Sequence, residues 1–222
     1  MLVVKLGGSL LGSPELAQWL NVLAKFSDGK VVIVPGGGLF ANSVREAQQI
    51  SNVSDAVAHQ MALLAMDQYG IMLAGMNQAL VTASSELEIA ERGWQHRGIV
   101  WLPSKMVLAD DCIPKNWEIT SDSLSAWLAD KLGAEQLILV KSKSLLTYQN
   151  EAVTRPQDLR LQHLVDDELI DCQFIHYLSS QDGQTKNFQT WVLNKADYTI
   201  FEHGFNADRL TEKGLYIGVE SH

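Results

Sequence analysis

The stretches LVVKLGG at residues 2–8 and KVVIVPGGG at residues 30–38 decide the fold. Each is a short apolar run closed by glycines, a pattern typical of a buried strand that ends in a tight turn. Between them, residues 14–26 place four apolar side chains at the spacing of an amphipathic helix: Leu16, Trp19, Leu20 and Leu23. The connection suits a right-handed crossover between parallel strands, so we expect both glycine turns at the carboxyl edge of one sheet.

The same patterns predict strands and helices along the whole chain. We expect strands at residues 2–6, 30–34, 80–82, 99–102, 136–140, 198–202 and 215–219. We expect helices at residues 14–26, 44–50, 55–76, 84–92, 185–194 and 206–212, one that begins at Ser121 and Asp122, and a loop at residues 149–162. The 55–76 helix carries one apolar face with Val57, Met61, Leu64 and Ile71. Together these elements predict an α/β protein, a three-layer αβα sandwich around a largely parallel central sheet.

Composition and charge indicate an ordinary folded domain. Hydrophobic residues make up 46% of the 222 residues and charged residues 19%, as in globular proteins. Cys112 and Cys172 lie far apart in no metal-like spacing, which predicts two isolated thiols in a reducing compartment. The net charge of −9 disfavours nucleic acid and anionic membranes as partners. With no signal peptide and no long apolar run, we expect a single-domain cytoplasmic protein.

Both glycine turns are suited to binding oxyanions. The first presents the backbone N–H groups of Gly7 and Gly8, and the ammonium of Lys5 can reach the same oxygens. Taken alone, this turn can equally be a tight connection beside a surface lysine. The second turn repeats the design with three consecutive glycines at residues 36–38. Phosphoryl transfer needs a donor and an acceptor that are both held by such groups, so two adjacent turns favour a kinase.

A third motif, WEITSDSLSAWLA at residues 117–129, places Asp122 at the start of a helix beside Thr120, Ser121 and Ser123. Two interpretations of Asp122 stay open at this point. It can serve as a helix cap. It can also orient a phosphate-binding lysine through a charge-assisted hydrogen bond, at the same sheet edge as the glycine turns.

The order of these three motifs resembles the amino-acid-kinase superfamily, in which KLGGSL, a PGGG turn and a Ser-Asp helix start follow one another. The resemblance extends to PGGGLFANSVR at residues 35–45, HQMALLAMD at residues 59–67 and LPSKMVL at residues 102–108. These longer stretches are similar to one archaeal and methylotroph branch. Its members phosphorylate (5-(aminomethyl)furan-3-yl)methyl phosphate to its diphosphate in methanofuran biosynthesis.

The resemblance implies an ATP-dependent phosphotransferase with a small-molecule phosphate acceptor, an acceptor lobe at residues 1–133 and a nucleotide lobe at residues 134–222. It also implies Mg²⁺ held mainly by the nucleotide phosphates, no protein metal site, and assembly into a dimer or higher homo-oligomer. Lys5 and Asp122 are then the catalytic residues. The nucleotide or the transferred phosphoryl group is bound by Gly7, Gly8, Ser9, Ser121, Lys141 and Lys143. The acceptor is bound by Gly36, Gly37, Gly38, Asn42, Arg45 and His59.

Two of the acceptor residues keep a structural alternative. Arg45 falls in the helix after the PGGG turn, where it can grip an acceptor phosphate or simply point into solvent. His59 lies in a helix among apolar residues, a setting that favours a histidine with a purely structural role over a ligand-binding one.

Two positions depart from the family pattern. Isopentenyl phosphate kinases carry a histidine where this chain has Asn42, which argues against an isoprenoid acceptor. In related kinases the strand at residues 137–140 is followed by Asp-Val-Asp-Gly, part of the nucleotide site. This chain has Lys-Ser-Lys-Ser at residues 141–144, and the two lysines either clamp nucleotide phosphates or form a solvated turn.

Two alternatives to the kinase described above therefore stay open. One is a kinase of the same superfamily with a carboxylate, carbamate, isopentenyl phosphate or UMP acceptor. The other is a nucleotide- or oxyanion-binding protein of the same fold that has lost catalysis, and the reversed charge at residues 141–144 favours it.

Overall fold

The computed structural model describes residues 1–149, 161–178, 188–205 and 207–218. Its strands are β1 (Leu2–Leu6), β2 (Val31–Pro35), β3 (Leu80–Ala83), β4 (Gly98–Trp101), β5 (Gln136–Lys141), β6 (Gln189–Asn194) and β7 (Leu215–Ile217). Its α-helices are α1 (Pro14–Lys25), α2 (Gly38–Ser51), α3 (Asp55–Met76), α4 (Glu86–Trp94), α5 (Ser104–Leu108), α6 (Ser121–Lys131), α7 (Leu161–Asp166), α8 (Phe174–Leu178) and α9 (Ala207–Lys213). Gly8–Leu10 and Lys195–Phe201 are 3₁₀ helices, and residues 146–149 form a helical turn.

The seven strands form one sheet in the order β3-β4-β2-β1-β5-β6-β7. All neighbouring pairs are parallel except β6 and β7. At the centre of the sheet, Leu6 at the end of β1 pairs with Pro35 of β2 and with Val140 of β5. The carboxyl ends of these three strands therefore meet at one edge. The predicted α/β architecture with a largely parallel sheet is confirmed.

Successive side chains of β1 enter two different cores because they alternate across the sheet. Val3 packs in the core that contains the buried side chains of α6, whereas Val4 packs in the core that contains those of α1. Lys5 points to the same face as Val3. In the parallel register Lys5 is opposite Leu139, so Lys141, two residues further along β5, shares that face. Both lysines therefore emerge beneath α6 at the carboxyl edge.

Helix α3 contributes to both cores. The apolar face that its periodicity indicates is, however, largely exposed to solvent. Its larger buried side chains are Leu63, Met66, Tyr69 and Leu73. Val57, Leu64 and Ile71 are 44%, 47% and 57% exposed. The helix is apolar on most sides, so spacing alone does not decide which side packs. Three of the four residues of the predicted face are therefore on the surface, whereas Met61 is half-buried and packs against the cluster that contains Ala41.

Two predictions in the carboxyl third are wrong. A helix was expected at residues 185–194, but Gln189–Asn194 is strand β6; residues 185–187 lie outside the described residues. This strand is buried on both faces and pairs with β5 along its length, and that tertiary pairing overrides local preference. A strand was expected at residues 198–202, but Lys195–Phe201 is a 3₁₀ helix with a capping box built by Asn194 and Asp197.

Other predictions in this third agree with the structure where it describes the chain. The helix expected at residues 206–212 is α9, and the strand expected at residues 215–219 is β7, which ends at Ile217. The loop expected at residues 149–162 lies mostly outside the described residues, since residues 150–160 are not among them and α7 begins at Leu161.

The two cysteines and the length of the helices were also subjects of prediction. Cys112 and Cys172 are exposed free thiols, which confirms the expectation of isolated cysteines. In the part of the chain that the structure describes, no helix is both long enough and apolar enough to cross a membrane.

Candidate functional site

A buried carboxylate lies between two lysines at the carboxyl edge of the sheet. Lys5 Nζ lies 2.9 Å from Asp122 Oδ1, and Lys141 Nζ lies 2.6 Å from Asp122 Oδ2. Lys5 and Asp122 are only 6% and 4% exposed. We call these three residues the lysine-aspartate triad. The fold brings them together because β1 and β5 are neighbours and because the first turn of α6 lies over both strands.

The triad is charged at neutral pH. Burial acts to raise the pKa of Asp122, but the ammonium groups of Lys141 and Lys5 outweigh it and lower that pKa to about 2. Burial lowers the pKa of Lys141 to about 8, although the charge of Asp122 opposes this change. Asp122 is therefore ionised and Lys141 is mainly protonated at pH 7. One carboxylate shared by two ammonium groups leaves a net positive charge for an anionic ligand.

A second carboxylate holds the beginning of α6 in place. Asp171 Oδ2 accepts hydrogen bonds from the backbone N–H of Thr120 at 3.1 Å, from its hydroxyl at 2.7 Å and from the backbone N–H of Ser123 at 3.0 Å. Asp171 Oδ1 accepts from the hydroxyl of Ser123. Thr120 in turn caps the backbone N–H of Asp122 at 3.3 Å. These bonds fix the helix turn that carries Asp122. Asp171 was not among the predicted site residues.

The two glycine turns pack backbone against backbone. The N–H of Gly36 donates to the carbonyl of Leu6 at 2.9 Å. A Cβ atom on Gly8 would lie 2.2 Å from the backbone nitrogen of Gly38, and one on Gly36 would lie 2.4 Å from that of Gly8. Gly38 also has a φ of +54°, which a side chain rarely tolerates. Close packing of the two turns on each other is therefore sufficient to require glycine at these positions, independently of any bound ligand.

Gly8→Ala is expected to destabilise the chain by about 1–3 kcal/mol, because the new methyl group forces the two turns apart. Gly7→Ala is the matched control, since a Cβ atom there would meet its nearest neighbours only at 3.4 Å. Urea unfolding of both variants measures the difference. Equal unfolding midpoints for the two variants would contradict this account of the packing.

A cavity of about 590 Å³ opens where the turns meet α6. Its wall near the sheet edge is polar and includes Gly8, Ser9, Gly37, Gly38 and Ser121. Its remaining wall is largely apolar: Ala62, Leu63, Met66, Trp117, Ile119 and Leu124. Of the predicted site residues, Asn42, Arg45 and His59 also line it. The cavity therefore offers an oxyanion-binding end and an apolar body.

Arg45 is held in the cavity by two contacts. Its guanidinium carbon lies 4.6 Å from the ring centre of Trp117, and its Nη1 donates to Asn42 Oδ1 at 3.1 Å. The Trp117 indole N–H donates to Gln48 Oε1 at 2.7 Å, which fixes the ring. The bond to Asn42 draws Arg45 toward the first turns of α2, whose amino end begins at Gly38. Trp117 was not among the predicted site residues.

The two lysines at and after the end of β5 have different partners. Lys141 belongs to the triad, whereas Lys143 Nζ donates to the carbonyl of Asp167 at 2.6 Å. Lys143 is thus not brought to the triad. Ser142 donates to Ser9 at 3.0 Å and also lines a second cavity, of about 520 Å³. This second cavity includes Ser144, Leu145, Asn194, Asp197 and Lys213. It lies on the β5 side of the first glycine turn.

Comparison with known proteins identifies relatives. A sequence model described as "Amino acid kinase family" matches residues 1–171. The [5-(aminomethyl)furan-3-yl]methyl phosphate kinase of Methanocaldococcus jannaschii is 36% identical over 141 residues. That match covers 63% of this chain and 64% of the relative, so the chain spans somewhat less than two thirds of that protein's length.

Two solved structures have a similar fold. The UMP kinase of Ureaplasma parvum is 16% identical, with a TM-score of 0.57 and coverage of 87% of this chain and 88% of that one. The uridylate kinase of Archaeoglobus fulgidus is 18% identical, with a TM-score of 0.51 and coverage of 64% and 63%. At these identities the likeness concerns the fold alone.

Proposed function

The chain belongs to the amino acid kinase family, and on that premise we propose that it transfers the γ-phosphoryl group of ATP to a phosphate monoester. The proposed acceptor is (5-(aminomethyl)furan-3-yl)methyl phosphate, the compound in the name of the M. jannaschii relative. The product is then a diphosphate, and the reaction serves the synthesis of a methanofuran-type cofactor in one-carbon metabolism. The proposed location is the cytoplasm, where ATP is available.

One observation carries the proposal: the lysine-aspartate triad is buried at the sheet edge where the two glycine turns lie. Residues close to Lys5 and Asp122 in the chain, namely Gly8, Ser9 and Ser121, line the 590 Å³ cavity. Burying three ionised groups is costly unless they are paired. A triad with one more ammonium than carboxylate is suited to neutralise charge that is delivered by a ligand. Phosphoryl transfer delivers such charge, because it spreads over the oxygens of the transferred group.

The mechanism is direct in-line transfer. An oxygen of the acceptor phosphate forms a bond to the γ-phosphorus while the bond from that phosphorus to the β,γ-bridging oxygen breaks, and ADP leaves with the electron pair. The acceptor oxygen is already ionised at pH 7, so no general base is needed. Lys5 and the N–H groups of the first turn bind the transferred group, and Asp122 holds Lys5 and Lys141 in position.

The proposal assigns the acceptor to a lobe at residues 1–133 and the nucleotide to a lobe at residues 134–222. In this proposal the acceptor occupies the 590 Å³ cavity, and ATP extends from the triad toward the 520 Å³ cavity beside residues 142–145. Among the described residues no three His, Cys, Asp or Glu side chains cluster as metal ligands. Mg²⁺ held mainly by the phosphates of ATP would offset their negative charge during the transfer.

A phosphate acceptor is favoured over a carboxylate by the charge of the first cavity. Arg45 supplies a guanidinium, the amino end of α2 supplies backbone N–H groups, and no carboxylate side chain lies among the described lining residues. The apolar lining residues, which include Leu63, Trp117 and Ile119, suit a ring rather than an extended charged chain. We include assembly into a homo-oligomer in the proposal, supported by the exposed apolar stripe of Val57, Leu64 and Ile71.

The test is to incubate the purified chain with Mg-ATP and one acceptor at a time, and to identify products by ³¹P NMR and mass spectrometry. We expect ADP formation that depends on the furan phosphate, together with the corresponding diphosphate. UMP, isopentenyl phosphate, carbamate and an amino-acid-like carboxylate serve as competing acceptors.

Each other outcome points elsewhere. An acyl phosphate made from the carboxylate, with no diphosphate from any monoester, would show that the proposed acceptor class is wrong. Diphosphate formed only from UMP or isopentenyl phosphate would keep the kinase and replace its substrate. Binding of ATP without acceptor-dependent ADP would favour the non-catalytic protein.

A further inference from the structure

The apolar part of the first cavity contains one buried histidine whose orientation is fixed. His59 is 5% exposed, lies in the second turn of α3 and lines the cavity with Leu63 and Trp117. Its Nδ1 lies 3.0 Å from the backbone carbonyl oxygen of Asn116. A carbonyl oxygen can only accept, so Nδ1 carries the proton and the neutral ring has its lone pair on Nε2.

The ring is neutral at physiological pH. Burial lowers the pKa of His59 and the charge of Lys115 lowers it further, against the opposite effect of the Asn116 carbonyl. Among the described residues, Nε2 has no hydrogen-bond partner, and it is not one of the polar atoms sealed from the cavity and the solvent. His59 therefore presents an unused acceptor atom to a ligand.

His59 lies at the end of the cavity remote from the glycine turns. Gly70 of α3 packs closely against Pro35, directly before the second turn, and Met66 is one helical turn away from Gly70. Met66 and His59 both line the cavity and are seven positions apart (66 − 59 = 7), or about 10 Å along the helix axis. A ligand with its phosphate at the glycine turns extends its other end toward His59.

The cavity has no acidic group at that end. Within the described lining residues there is no Asp or Glu side chain, and the guanidinium of Arg45 lies on the Trp117 ring and donates to Asn42. A hydrogen-bond donor on the ligand therefore finds Nε2 of His59 as an unoccupied acceptor.

We propose that His59 determines acceptor specificity by accepting a hydrogen bond at Nε2 from a primary amine at the end of the acceptor opposite to its phosphate. This inference rests on the proposed function, because it assigns the aminomethyl end of that acceptor to a residue. The enzyme would then discriminate between acceptors through Nε2 of His59, because an analogue without the amine leaves this atom unpaired in a desolvated site.

The experiment compares kcat/KM for (5-(aminomethyl)furan-3-yl)methyl phosphate with kcat/KM for the analogues that carry hydroxymethyl or methyl in place of aminomethyl. We expect the wild type to prefer the amine over the methyl analogue by about 10- to 100-fold, with the hydroxymethyl analogue between them. In His59→Phe, which keeps a flat ring but removes the acceptor atom, this ratio falls to about one. His96→Phe is the matched control, because His96 is exposed and paired with Asp28 away from the cavity, and it keeps the wild-type ratio.

The outcomes separate this inference from the proposed function. A wild-type ratio near one, or a His59→Phe ratio equal to that of the wild type, overturns the role of His59 while the kinase stands. A higher efficiency for the hydroxymethyl analogue overturns the amine in favour of a hydroxyl donor. No turnover of any furan phosphate overturns the proposed function and this inference with it. Since the wild-type ratio alone is decisive, the inference stays testable even if His59→Phe folds poorly.

Discussion

Lys5→Met is expected to lower kcat by about 10²-fold or more, because it removes a preorganised positive charge from the place where charge develops on the transferred group. The fold should survive. In this variant Asp122 keeps its partner Lys141 at 2.6 Å, so no carboxylate is left buried without a cation. Steady-state kinetics of acceptor-dependent ADP formation measures the effect, and circular dichroism with a thermal melt checks the fold.

Lys25→Met is the control for this experiment. Lys25 is an exposed residue in the last turn of α1, and it lies in neither cavity lining. It should retain the kcat of the wild type. If folded Lys5→Met also retains that kcat, Lys5 has no part in the transfer step, and its contact with Asp122 is purely structural.

Asp122→Ala is expected to destabilise the fold by about 3–5 kcal/mol, because it leaves two buried ammonium groups facing each other without a counter-charge. Asp122→Asn should cost less, since its amide oxygen still accepts a hydrogen bond. Urea unfolding at pH 7 measures both variants. Asp111→Ala provides the control: that side chain is 97% exposed, and its ion pair with Lys115 spans 3.7 Å. Its unfolding midpoint should stay close to that of the wild type.

The pH dependence of stability gives an independent check on Asp122. The folded-state pKa of this carboxyl, about 2, lies below its ordinary value of 3.8. Its contribution to stability is therefore fully present above about pH 4 and is lost as the pH falls toward 2. Asp122→Asn should lack this part of the acid-induced loss. An acid unfolding curve of Asp122→Asn that shows the same loss as the wild type would assign the loss to other groups.

Local patterns predicted the part of the site that depends on short stretches of chain. The glycine turns were predictable because they follow directly on apolar strands, and the crossover rule places them on one edge. Asp122 was predicted to orient a lysine because it stands at a helix start that was expected at the same sheet edge as the glycine turns. The structure adds that its lysine partners are both Lys5 and Lys141. The contact with Lys5 agrees with the predicted role of Asp122. The contact with Lys141 shows that Lys141 is not part of a solvated turn.

Contacts between distant stretches were not predictable from local patterns. Asp171, which holds the start of α6, lies 48 positions from Ser123, and no nearby motif marks it. Trp117 was recognised as part of a motif, but its contact with Arg45 depends on how α2 lies against the segment before α6. The face of α3 with Val57 has the same spacing as a buried stripe, and only the packing of the whole molecule leaves it outside.

The position of β1 has a consequence for how this protein is made. Its two neighbours in the sheet are far apart in the chain: β2 ends at Pro35, whereas β5 ends at Lys141. A ribosome that adds about 5–20 residues per second needs roughly 7 to 27 s to synthesise the 136 residues from Lys5 to Lys141 (141 − 5 = 136). Throughout that interval one edge of β1 has no strand to pair with, and an open edge is a template for association with other chains. We therefore expect the nascent chain to need chaperone protection until β5 has left the ribosome.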